Sequence, residues 1–104
     1  MAIKVQTEFL NASTVRIISY VYNTSGALAD ASGLTIDIWD PDGTQQVDGT
    51  AMTNQSTGLY DYYYHKGASA SAMSSGRWRG KVLVTDGSGG SAILSEGIFS
   101  FKVI

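Results

Sequence analysis

The chain contains no cysteine, a single proline, a single histidine and only 15% charged residues. The missing cysteines exclude a disulfide framework, a thiolate metal site and a thiol nucleophile, so packing alone must hold the fold. With His65 as the one imidazole and no serine framed by the glycines of a nucleophile elbow, a hydrolytic triad has no support. A formal net charge of -2, with no run of like charges, gives no general attraction to nucleic acid or to an anionic membrane. No apolar run is long enough to cross a bilayer, and the start, MAIKVQTEFL, alternates polar and apolar residues where a signal peptide would be continuously apolar. The expectation is a chain that is not exported through a cleaved signal, unless it is a module of a longer secreted protein.

What is present is alternation. The 104 residues suffice for one core, and 43% hydrophobic residues take the chain out of the disordered class, so a single domain over 1–104 is expected. Apolar residues recur at alternate positions, interrupted about every ten residues by Gly, Asn, Asp and Ser, which is strand and turn patterning without a helical period. Seven strands are predicted: 3–9, 14–22, 34–39, a polar edge stretch through Val47 and Met52, 59–65, 77–85 and 93–103. Asn23-Thr24-Ser25-Gly26 and Asp40-Pro41-Asp42-Gly43 read as turns, with Leu28 anchoring the connection after the first. The small-residue stretch 67–76 reads as a crossing between sheets with a helical turn around 70–73. The run 86–90 reads as a hairpin connection, and a bulge is expected at Gly97.

The succession DPDGT, STGLYDYYY, GRWRGKVLVTDGSG and FSFKVI resembles the Ig-like domains of macroglobulin-type proteins and of bacterial and phage surface or virion proteins. The resemblance covers the chain from Thr14 onward and implies an all-β, seven-stranded antiparallel Ig-like β-sandwich. These motifs describe turns and core aromatics, and such a sandwich hosts many unrelated roles.

Alternation splits the tyrosine run into two sets, Tyr60, Tyr62 and Tyr64 on one side, Asp61, Tyr63 and His65 on the other. The resemblance turns the first set inward against Trp78, with Tyr60 or Tyr62 beside it, in a core that also takes Val82, Val84, Phe99 and Phe101. The second strand is apolar on both sides, with Val15, Ile17 and Val21 alternating with Arg16, Ile18, Tyr20 and Tyr22. Because the second and fifth strands are neighbours in the resembling fold, Ile18, Tyr20, Tyr22 and Tyr63 are expected to form one outward patch, a candidate interface. Arg77, Arg79 and Lys81 line another outer face at a pitch of roughly 7 Å. The sixth strand lies beside the third there, so these cations either pair with Asp37 and Trp39 or wait for a partner.

No catalytic, cofactor-binding or metal-binding residues are expected. The carboxylates of Asp40, Asp42 and Asp86 lack the spacing and distal glutamate of a calcium loop. Matches to the glycosylation acceptor pattern at Asn11, Asn23 and Asn54 are read as exposed turns. The expected role is that of a non-enzymatic structural module packing against copies of itself or a larger virion lattice: a capsid decoration or tail accessory protein of a tailed phage, located in the virion. No specific nucleic acid partner and no membrane insertion are expected. The alternative is an Ig-like adhesion or carbohydrate-binding module of a bacterial or archaeal surface protein, extracellular as part of a longer chain, with exposed aromatics on sugar rings.

Overall fold

In a computed structural model the described residues are 2–5, 8–9, 14–23, 25–64, 75–86 and 93–104. In chain order the strands are β1 (Ala2–Val5), β2 (Glu8–Phe9), β3 (Val15–Tyr20), β4 (Gly33–Trp39), β5 (Gln45–Ala51), β6 (Thr53–Ser56), β7 (Leu59–Tyr64), β8 (Gly76–Asp86) and β9 (Ile93–Val103). They form two sheets, β1-β3-β7-β6 and β2-β9-β8-β4-β5. These are the seven expected stretches, two of which divide between the sheets. The first gives β1, antiparallel to β3, and then β2, parallel to β9. The polar edge stretch gives β5 on one sheet and β6 on the other, and Met52 marks the change, buried and with its N–H donating to the Leu34 carbonyl at 3.0 Å. The remaining pairings are antiparallel, and the strand order is that of an immunoglobulin-type sandwich.

The two predicted turns share one hydrogen-bond scheme. In the second, the Gly43 N–H donates to the Asp40 carbonyl at 3.0 Å and the Asp40 N–H to the Thr44 carbonyl at 2.9 Å. The Asp40 carboxylate then accepts the N–H groups of Asp42 and Thr44. In the first, Asn23 plays the part of Asp40: its carbonyl accepts the Gly26 N–H and its side-chain oxygen accepts the N–H groups of Ser25 and Ala27. Each turn closes on a residue with positive φ, Gly26 at 81° and Gly43 at 88°, which glycine adopts without steric cost.

Alternation along the strands assembles the core. Val15, Ile17 and Val21 enter it from β3 and the residue after it, Tyr60 and Tyr64 from β7, Leu34, Ile36 and Ile38 from β4. Trp78, Val82 and Val84 come from β8, and Phe99, Phe101 and Val103 from β9. Trp78 stacks on Phe101 with centroids 5.9 Å apart and tilts against Tyr64 of the opposite sheet at 5.8 Å. The tyrosine it meets is thus Tyr64, the third of the inward row, and not Tyr60 or Tyr62. Tyr62 is partly buried against the core, and the Tyr60 hydroxyl reaches the margin, exchanging hydrogen bonds with the Ala31 backbone at 3.3 Å. Ser19 is fully buried in the same inward row, and its hydroxyl has no partner among the described residues.

Two local expectations are corrected, at Gly97 and at Asn54. No bulge occurs at Gly97: β8 and β9 pair without a register shift from Gly76 opposite Val103 to Asp86 opposite Ile93. The irregularities fall in β4–β5 and β6–β7, and in the former the Asp37 carboxylate accepts the N–H of Gly49, which has φ of 61°. Leu28 bridges Tyr22 and so ties down the connection after the first turn, while its side chain stays 43% exposed on an outer row. Asn54 lies in strand β6, not in a turn. The predicted helical turn at 70–73, the connection at 87–90, and the acceptor pattern at Asn11 lie outside the described residues.

Gly80 faces the core opposite Phe99, and a Cβ added there would overlap the far end of the Phe99 ring, at Cζ. We expect Gly80→Ala to lower stability by about 1–3 kcal/mol in denaturant unfolding, as overpacking does. Phe99→Leu in the same chain should restore part of the loss. An unchanged midpoint for the single variant would mean that the ring yields at no cost.

Candidate functional site

Two outer faces carry the side chains singled out in the sequence. On the first, the β3–β7 ladder sets Arg16 opposite Tyr63, Ile18 opposite Asp61 and Tyr20 opposite Leu59. Asp61 points outward by alternation yet is sealed: its side chain is 3% exposed against 43% for Arg16. Arg16 reaches it diagonally, Nη2 at 2.8 Å and Nε at 3.1 Å from Oδ2, and the Gln55 amide donates to Oδ1 at 3.0 Å. The hydrogen bond to Asp61 raises the already high pKa of Arg16, so the guanidinium is a permanent cation. It also lies over the Tyr63 ring, 5.5 Å from the centroid.

This ion pair sits within the expected patch of Ile18, Tyr20, Tyr22 and Tyr63. Tyr63, 56% exposed, stands at the Arg16 end of the ladder, and Tyr20 stands four residues away along it, with the rung of Ile18 and Asp61 between. A carboxylate on a half-covered strand face needs a charged partner and hydrogen bonds, and Arg16 and Gln55 meet that need within the face. The apolar part that holds together is Ile18, Tyr20 and Tyr22, joined by Leu59 opposite Tyr20 and by Leu28, bridged to Tyr22. Tyr22 is 45% exposed, while Ile18 and Tyr20 are half-buried. Leu59 was legible by the alternation that turns Asp61 and Tyr63 outward, whereas Leu28 belongs to the face only through its pairing with Tyr22.

On the second face, Trp39 lies opposite Arg79 and Asp37 opposite Lys81, as the neighbouring of third and sixth strands implies. The cross-strand ion pairs do not form. The Asp37 carboxylate is occupied by the Gln45 side chain at 2.9 Å and the Gly49 N–H at 2.8 Å. Lys81 turns the other way, 3.9 Å from Glu96, and Arg77 donates to the Ser100 hydroxyl at 3.1 Å. Arg79 has no hydrogen-bond or ion-pair partner among the described residues, and its guanidinium does not cover the Trp39 ring. Between this face and the Pro41–Gly43 turn lies a cleft of about 550 Å³, lined by Trp39, Pro41, Asp42, Arg77, Arg79 and Ile98 among others. Ile98 is 85% exposed. Its outward place among Glu96, Ser100 and Lys102 was the signal in the sequence that strand alternation alone would have exposed.

Burial, with smaller contributions from Tyr62 and Asp40, pushes the Tyr64 hydroxyl above its ordinary value, so it stays neutral and serves packing. The Asp40 carboxylate is spent within its own turn and on the Gln46 amide. Among the described residues no three His, Cys, Asp or Glu side chains gather as metal ligands. His65 lies outside them.

No protein-family model and no curated protein matches the chain. Among solved structures it is similar to a DUF4785 family protein from Legionella pneumophila, at 10% identity and a TM-score of 0.70, covering 97% of this chain and 27% of that one. It is also similar to the filamin domain of Lin-41, at 17% identity and a TM-score of 0.64, covering 98% of this chain and 91% of that one. The chain thus spans about a quarter of the first protein and nearly all of the second domain. At these identities the likeness is one of fold, and the fold is an all-β, Ig-like sandwich.

The geometry of the ion pair orders two substitutions. Arg16→Ala leaves the sealed Asp61 carboxylate with Gln55 alone, whereas Asp61→Asn leaves an arginine that can turn to water. Denaturant unfolding should therefore show the larger loss for Arg16→Ala. The reverse order would mean that Asp61 contributes through packing and not as a charge.

Proposed function

We propose that this chain is a non-enzymatic structural module that associates with a larger assembly through the outer face of β3 and β7, and that the assembly is the virion of a tailed phage. The observation that carries the reading is the outward row Ile18, Tyr20 and Tyr22 with Leu59 and Leu28 beside it. Contiguous apolar side chains on the outside of a small protein commonly mark interfaces. Each ring buried against a partner contributes on the order of 1.5 kcal/mol or more at about 25 cal/mol per Å². That suffices on a preformed lattice, though not for a tight pair of monomers once association entropy is counted. The resemblance of the turn and core motifs to virion proteins supports a capsid decoration or tail accessory role, with protein as the partner, no specific nucleic acid and no membrane insertion.

One observation favours a second reading, a carbohydrate-binding or adhesion module of a bacterial or archaeal surface protein. Trp39 lines a cleft together with Arg79 and Asp42, a combination of ring, donor and acceptor that suits a sugar. Replacing Tyr22 and Leu28 with serine decides between the two. Both side chains are exposed, so thermal unfolding should move little, while co-sedimentation with the assembled particle should be lost. Undiminished association would remove this face from the account. Retention of the native chain on a glycan array, abolished by Trp39→Ala, would favour the second reading.

A further inference from the structure

The face formed by β4, β8 and β9 concentrates charge in a chain that is acidic overall. Four of its seven lysines and arginines lie there, Arg77, Arg79, Lys81 and Lys102, with Lys102 opposite Arg77 in the β8–β9 ladder. The carboxylates near them are mostly spent elsewhere: Asp40 and Asp42 also line the cleft, but Asp40 is taken up by its own turn and by Gln46. Asp37 is occupied by Gln45 and Gly49, Glu96 lies 3.9 Å from Lys81, and Arg77 uses one donor on Ser100. Arg79 uses none among the described residues. Beside this cation the cleft is apolar: Trp39 directly opposite Arg79, Pro41 in the turn, and Ile98, 85% exposed, diagonal to Arg79 across the β8–β9 ladder.

An unpaired guanidinium beside an exposed aliphatic side chain specifies a ligand with a carboxylate and an apolar group a few ångströms apart. We infer that this cleft docks an extended acidic segment of a partner protein, its carboxylates on Arg79 and Arg77 and an adjoining apolar side chain against Ile98 and Trp39. Arginines two residues apart on one strand are spaced by about 7 Å, the pitch of alternate side chains in an extended ligand. A guanidinium takes a carboxylate through two parallel hydrogen bonds, which orients the segment as well as attracting it. Asp42, exposed at the rim, is an acceptor for a backbone N–H of the ligand. Phosphate or nucleic acid would use the cations but leaves Ile98 without a role, and a sugar stacks on an indole but not on a branched aliphatic chain. The inference rests on the reading of the chain as an interaction module, and it names the chemistry of one partner at a face separate from the Tyr22 row.

The test uses the isolated chain, isotope-labelled, titrated with the end-blocked peptide Glu-Ala-Glu-Ala-Leu and followed by amide and indole chemical shifts. Shifts should cluster at Trp39, at Arg77 to Lys81 and at Ile98, and weaken with added salt. Arg79→Glu should abolish them. Ile98→Ser, or serine in place of the peptide's leucine, should weaken binding on the order of tenfold, as loss of a buried aliphatic side chain does. The face is not an acidic-segment site if the peptide moves no resonance there, if the shifts persist in Arg79→Glu, if the lysine counterpart Lys-Ala-Lys-Ala-Leu binds equally, or if oligogalacturonate produces the same shifts as strongly. Because no assembly enters this titration, its failure leaves the Tyr22 face untouched. Failure of particle co-sedimentation likewise leaves the peptide result standing.

Discussion

Trp78 joins the two sheets. Its indole, 1% exposed, stacks on Phe101 of its own sheet and meets Tyr64 of the other, and Phe101 in turn stacks on Phe99. A chain without cysteine has no covalent tie between its layers, so the interlayer contact must come from side chains that reach across about 10 Å. Large rings do this with the least loss of conformational freedom, having only two side-chain torsions to fix. Gly80 follows from the same crowding, since the Phe99 ring fills the place its side chain would take. With Trp78, Val82 and Val84 pointing in, Arg77, Arg79 and Lys81 must point out. The cation face is therefore a consequence of the core.

The same constraint operates on the opposite sheet. Val15 and Ile17 inward send Arg16 and Ile18 outward, and Tyr60, Tyr62 and Tyr64 inward send Asp61 and Tyr63 outward. The tyrosine run is thus mostly core, and only Tyr63 among its rings faces water to any large degree. The two outer surfaces differ in kind. One presents apolar side chains bordered by a sealed ion pair; the other presents cations around a cleft and one exposed isoleucine.

How much of this was legible depended on range. The split of β3, β7 and β8 into two alternating sets follows from a period of two and is legible in the residues themselves, while the inward facing of the Tyr60, Tyr62 and Tyr64 set came from the resemblance. The turns at Asn23 and Asp40 follow from local chemistry, an Asx side chain closing on backbone N–H groups before a glycine. What was not legible was pairing. Nothing local says that 45–51 and 53–56 belong to different sheets, that Arg16 seals Asp61, or that Asp37 serves Gly49 and leaves Lys81 to Glu96. The bulge expected at Gly97 failed for the same reason: a glycine permits irregularity, but its partner strand decides, and Val82 continues the ladder there unchanged.

The claim on which both outer faces depend is that Trp78 locks the sheets together with its indole inside. Equilibrium unfolding of Trp78→Ala measures it directly. Loss of this side chain should reduce stability by about 3–5 kcal/mol, a large share of the roughly 5–15 kcal/mol that a domain of this kind possesses. A variant that unfolds at the denaturant concentration of the native chain would contradict the burial of Trp78, and with it the facing of β8 and the exposure of its arginines.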